Sequence, residues 1–246
     1  MPNPHPHKLT FFLPNIFTAL NLACGFASII LSWKGDLWTA SMIIILGATF
    51  DLVDGRVARM TGTQSPFGEQ FDSMSDVVSF GVAPAIFMYN QFLIGAGRIG
   101  AVAAFIYLLC GALRLARFNA NIDKVSSDFF QGIPIPGAAI ACVGYVQLSL
   151  VFPELKEMQV PALIYIIVYG LLMITNIPFN SFKNSTWVKE HKKRVLFFIF
   201  IILSLTFSYY QIMIASLMGI YVIGSFIYFL LNRGELADVF HWKGEA

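Results

Sequence analysis

Charge is scarce in this sequence. Only 12% of its 246 residues are Asp, Glu, Lys or Arg, and 57% are hydrophobic. A soluble domain carries roughly 25% charged residues, about twice as many. The formal net charge is +2, which excludes a strong polyanion partner, so no nucleic acid is expected. Cysteine is scarce as well. Cys24, Cys110 and Cys142 each sit inside an apolar run, an odd and scattered set that excludes a disulfide framework and reads as small core hydrophobes. His5, His7, His191 and His241 lack metal-ligand spacing and read as solvated side chains. Internal repeats and low-complexity tracts are absent. No small-residue cleavage site follows the first apolar run, which therefore reads as a retained helix and not a signal peptide.

Long apolar stretches are what the chain does have. Eight segments come near the roughly 20 residues a spanning helix needs. They cover 11–32, 37–60, 71–95, 99–122, 135–153, 159–177, 194–208 and 210–232, with Gly, Pro or charge at the breaks. The sequence thus predicts an all-α, polytopic integral membrane protein, a single domain over 1–246. Its C-terminal helices, about 159–232, are generic. Lys and Arg set the orientation. With eight spans, 13 of the 16 fall on the side shared by both termini; only Lys34, Arg98 and Lys156 fall on the other. Both termini are expected in the cytoplasm.

One stretch breaks the apolar pattern: "DLVDGRVARMTGTQSPFGEQFDSMSD", residues 51–76. Asp51, Asp54, Gly55 and Ala58 follow the spacing of one helix face, as do Gly68, Asp72 and Asp76. Gly62 and Pro66 let the chain turn back between them. Two antiparallel helices would then set four carboxylates face to face, with small residues leaving room beside them. Close carboxylates repel unless some are protonated or a cation lies between them. Hard oxygen donors at this density suit Mg²⁺ or Mn²⁺, ions that commonly hold a phosphate or diphosphate. Arg59 beside the pocket suits the same ligand. Cytoplasmic-end residues solvated at the headgroup level are the plain alternative, preferred for Arg56 and Glu69. It is weak for Asp51, about 13 Å along a helix from Met60. A cation-coupled transporter would also use buried acids, though an ion path has no need of the interleaved small residues.

The pattern Asp51-x-x-Asp54-Gly55-x-x-Ala58-Arg59, eight residues, Gly68-x-x-x-Asp72-x-x-x-Asp76 resembles the full signature of the CDP-alcohol phosphatidyltransferase family. "LPNIFTALNLACGF", "FGVAPA", "CGALRLARFNA" and "FQGIPIPGAA" look like the membrane-integral phosphatidylserine synthases of bacteria and archaea within it. The resemblance implies a six-helix catalytic core, a homodimer, and Mg²⁺ or Mn²⁺ as cofactor. It implies transfer of a phosphatidyl group from CDP-diacylglycerol to L-serine by direct attack, releasing CMP. Sister enzymes use glycerol 3-phosphate or inositol phosphate instead. Asp51, Asp54 and Asp72 would then be metal ligands. Asp76 would be the catalytic base and could also touch metal. Gly55 and Ala58 would admit the nucleotide, Arg59 would support the site, and Gly68 would line the CDP-diacylglycerol pocket.

Other polar residues lie at membrane depth. Asn15, Thr18 and Asn21 run along one stripe of the first helix. Such residues glue helices together, or they contact the CDP-lipid, as the resemblance suggests. Arg114, Arg117 and Asn119 end the fourth segment. They read as anchors to anionic membrane lipids or as ligands for the serine carboxylate or a phosphate. "KEHKKRV" reads as a basic anchor. "NIDKVSSD" with the following prolines reads as a loop that closes over the site.

Overall fold

The computed structural model describes residues 8–120, 129–180 and 192–231. The closing-loop expectation at 121–128, the four histidines and the first three residues of "KEHKKRV" lie outside them.

Helices form where the apolar segments predict them. They are α1 (Lys8–Trp33), α2 (Leu37–Thr61), a composite third helix from Pro66 to Ala96, α5 (Arg98–Ala120), α6 (Ile135–Val151), α7 (Gln159–Ile174), α8 (Lys192–Ser208) and α9 (Tyr210–Leu231). Five of them are long and apolar enough to cross a membrane, while α6, α7 and α8 are shorter apolar helices. The chain is an all-α integral membrane protein. One small departure is a pair of three-residue strands, β1 (Phe129–Gln131) and β2 (Pro178–Asn180). They run antiparallel, with Phe130 opposite Phe179.

The third helix starts five residues earlier than its apolar run. Ser65 caps it, accepting a hydrogen bond from the Gly68 N–H at 3.1 Å, and Pro66 occupies the first turn, where no amide donor is needed. Helix α2 ends at Gly62, whose φ of +65° is the left-handed conformation that glycine adopts without strain. The turn between α2 and α3 (Pro66–Asp76) is therefore only residues 62–65.

Beyond Asp76 the third helix widens into a π-helix at Val77–Val82. It continues as α4 (Ala83–Met88) and widens again at Tyr89–Leu93. The first widening has a local cause. Pro84 lacks the N–H that would reach the Phe80 carbonyl, and its ring crowds that carbonyl. The Tyr107 hydroxyl of α5 donates to Phe80 O at 3.1 Å instead.

Helix α6 is buried on nearly every side from Ala138 to Gln147, as befits the centre of a bundle. Around it pack α2, the third helix, α5, α7 and α9. Helix α8 lies at the periphery, with Phe197, Phe198 and Phe200 all exposed.

Arg117 ties distant parts of this bundle together. Its guanidinium donates to the carbonyls of Ile174 (2.9 Å), Met173 (3.3 Å) and Gln131 (3.0 Å), and to Asn176 Oδ1 (3.4 Å). It caps the end of α7 and fixes the entry to α6 in one contact. Beside it Gly132, at φ +73°, sits against the carbonyl of Leu172, so no larger residue fits. Arg117→Ala is expected to cost about 1.5–3 kcal/mol, the range for hydrogen bonds from a charged donor. A lower unfolding temperature in detergent, with substrate KM values unchanged, is the expected readout.

Candidate active site

Helices α2 and α3 bring the acids together from opposite sides of the 62–65 turn. Carboxylate oxygens of Asp51, Asp72 and Asp76 lie within 4.8 Å of one another. Asp51 and Asp76 approach to hydrogen-bonding distance. Two carboxylates tolerate that contact only with a shared proton or a cation between them. Asp72 Oδ1 is buried and has no hydrogen-bond donor. Three converging carboxylates with an unsatisfied oxygen form the donor set of a hard divalent cation, and the residues present fit one.

Asp54 lies beside Asp72, in the wall of the same cleft. It is buried, outside the three-carboxylate group, and its Oδ2 accepts from the Thr18 hydroxyl at 2.8 Å. The cleft adjoins that group. Pro14, Asn15 and Thr18 of α1, Asp54, Gly55 and Ala58 of α2, and Gly68 and Asp72 of α3 line it, together with Thr63, Gln64, Ser65 and Glu69. The cleft is open to solvent on one side and holds a cavity of about 80 Å³. Gly55 and Gly68 keep it open. A Cβ at Gly55 would stand 3.6 Å from Arg59 Nη1, so the Arg59 side chain folds back along the rim. A Cβ at Gly68 would crowd Ser65 Oγ (3.2 Å) and Asn15 Oδ1 (3.4 Å).

Asn21 does not line the cleft. Its Nδ2 donates to Asp76 Oδ1 at 3.2 Å. The stripe read from α1 thus divides: Asn15 and Thr18 face the cleft, and Asn21 holds an acid. Helix α1 also binds the third helix through its backbone. Ser75 Oγ donates to Thr18 O (3.1 Å), and Ser79 Oγ donates to Asn21 O (2.9 Å). Thr18 and Asn21 each hold an acid with the side chain and receive a serine with the carbonyl. Sequence reasoning missed Ser75 and Ser79. The available signal was their spacing of four, the same face-repeat that marks Asp72 and Asp76.

Of the three polar residues at the end of α5, only Arg114 is fully buried. Arg117 holds the α7 end described above. Asn119 Nδ2 donates to Ser73 Oγ at 2.8 Å, fixing α5 to α3 beside the acids.

Residues 11–150 match the CDP-alcohol phosphatidyltransferase family. The chain is 35% identical to a CDP-diacylglycerol–serine O-phosphatidyltransferase of Helicobacter pylori, over 92% of this chain and 94% of that protein. A Methanocaldococcus jannaschii protein of the same name is 39% identical over 70% of this chain and 75% of its own length. An archaetidylserine synthase of Methanothermobacter thermautotrophicus is 38% identical over 70% of this chain and 72% of its own. With the family match covering more than half its length and the first of these relatives aligned nearly end to end, this chain belongs to the CDP-alcohol phosphatidyltransferase family.

Proposed function

We propose that this protein transfers the phosphatidyl group of CDP-diacylglycerol to the hydroxyl of L-serine, giving phosphatidylserine and CMP. What carries the reading is the junction of two features: a three-carboxylate cluster and a cleft of small and polar residues that meets it at Asp72. The names of the relatives support the acceptor. They differ in the lipid, and they agree on serine.

Asp51, Asp72 and Asp76 would hold the divalent cation, Mg²⁺ or Mn²⁺, with Asp54 at its edge. The bound cation supplies positive charge to the diphosphate and to the departing CMP. The cleft between α1, α2 and α3 takes the cytidine diphosphate, with Arg59 at its rim. Asn21 donates to one oxygen of Asp76 and so orients the carboxylate that meets the serine hydroxyl. Asp76 takes the hydroxyl proton as the serine oxygen attacks the lipid-side phosphorus. The bond from that phosphorus to the CMP oxygen breaks, and CMP leaves with the electron pair. Membrane-embedded acyl chains keep the lipid at this depth.

The excess of Lys and Arg on one side supports eight spans with both termini and the acids facing the cytoplasm. A homodimer follows from the family resemblance. The test is CMP release from CDP-diacylglycerol with Mg²⁺ or Mn²⁺ as the alcohol is varied. Release with serine is expected. Release with glycerol 3-phosphate and not serine would move the protein to a sister reaction, and metal flux across vesicles without any CMP would make it a transporter.

A further inference from the structure

Arg114 is a buried cation with no partner for its Nε. It is 7% exposed on α5, its Nε has no acceptor, and it forms no ion pair among the described residues. The Phe118 ring lies 6.0 Å from its guanidinium carbon. A charge held this deep costs free energy unless an anion meets it.

Its level in the bundle follows from the contacts on either side. Helix α5 runs antiparallel to the third helix. Tyr107 bonds Phe80, Leu108 packs on Gly81 (3.0 Å to a Cβ placed there), and Asn119 bonds Ser73. Counting between these pairs sets Arg114 opposite Asp76, which is equally buried. The cleft that takes the nucleotide draws its lining from α1, α2, α3 and the turn between them. Among the described residues α5 contributes nothing to it. Arg114 therefore lies across Asp76 from the diphosphate, on the side from which an acceptor hydroxyl would arrive.

We infer that Arg114, and not Arg117, binds the α-carboxylate of the acceptor amino acid and thereby selects it. The inference rests on the proposed acceptor. In serine the hydroxyl and the carboxylate sit on adjacent carbons, so one molecule can place its hydroxyl on Asp76 and its carboxylate on a guanidinium level with it. A guanidinium fork matches a carboxylate with two parallel hydrogen bonds. Arg117 already has four acceptors, three of them backbone carbonyls, and serves as the clamp.

The experiment compares the purified wild type with Arg114→Gln and Arg114→Lys, using CDP-diacylglycerol and either L-serine or L-serinamide. Wild type is expected to prefer serine strongly. Arg114→Gln should raise the KM for serine roughly 10- to 100-fold, as for a lost charge-assisted hydrogen bond. Its KM for CDP-diacylglycerol should stay within about twofold. The preference for serine over serinamide should collapse, and Arg114→Lys should fall between. An unchanged serine preference in the variant would overturn the inference, as would a rise confined to the CDP-diacylglycerol KM, which would place the diphosphate on Arg114. Should Arg114→Gln fail to fold, the wild type decides: equal use of serine and serinamide overturns the inference. Wild type that releases no CMP with serine would sink the proposed acceptor itself, a distinct result.

Discussion

Asp76→Asn is expected to abolish CMP release while membranes carrying the variant still bind CDP-diacylglycerol. The side chain keeps its shape and its hydrogen bond to Asn21 but can no longer accept a proton. General-base loss alone is worth about 100- to 10,000-fold in turnover. Asp51→Asn acts differently. It leaves the proton acceptor in place and removes a residue that would only hold the cation, so binding and turnover should weaken together. Asp51 and Asp76 are in contact, and both lie in the same cluster. The two variants thus test whether neighbouring carboxylates divide their roles. Titration of labelled CDP-diacylglycerol beside single-turnover CMP release measures both. Equal loss of binding in the two variants would refute the division.

The second large effect is steric and lies away from the acids. Gly25 on α1 faces Ser79 in the π-helix so closely that an added Cβ would stand 2.6 Å from the Ser79 Cα. Backbone cannot yield as a side-chain tip does. Gly25→Val must therefore push α1 from the third helix, break the Ser79 bond to the Asn21 carbonyl and shift the amide that holds Asp76. Overpacking costs about 1–3 kcal/mol. Misplacement of the base adds a catalytic loss, roughly 100-fold for an ångström. A lower melting temperature together with a fall in kcat is expected. Gly219→Ala on α9 is the matched control, because nothing lies within 4 Å of its added Cβ. Equal activity in the two variants would show that α1 does not position the site.

Sequence alone carried much of this architecture, and particular residues show why. Lipid forces long apolar segments, so the eight helices are visible as composition. The acids stand out because charge is rare around them, and their helical spacing puts them on facing sides. What the sequence hides is pairing between helices. Asn15, Thr18 and Asn21 are legible as a polar stripe, yet nothing in their spacing tells that the first two reach the cleft while the third holds Asp76. Arg114 and Arg117 are three residues apart and look alike in the string "LRLARFN". Only the packing of α7 and the strands against α5 gives Arg117 its carbonyls and leaves Arg114 without an acceptor. The π-helix after Asp76 was likewise invisible. Pro84 is an ordinary proline in the sequence, and the effect depends on Tyr107 arriving from another helix.

The placement of the acids also fixes an order of assembly. Every acid, every residue that braces one, and the whole cleft lie between Pro14 and Ser79, on three helices consecutive in the chain. These contacts span 36 to 58 residues, but all of their partners lie before residue 80, so synthesis completes them first. Arg117 must wait for Met173, Ile174 and Asn176, more than fifty residues downstream. During synthesis the half that grips the nucleotide can therefore form while the wall that admits the amino acid is still being made.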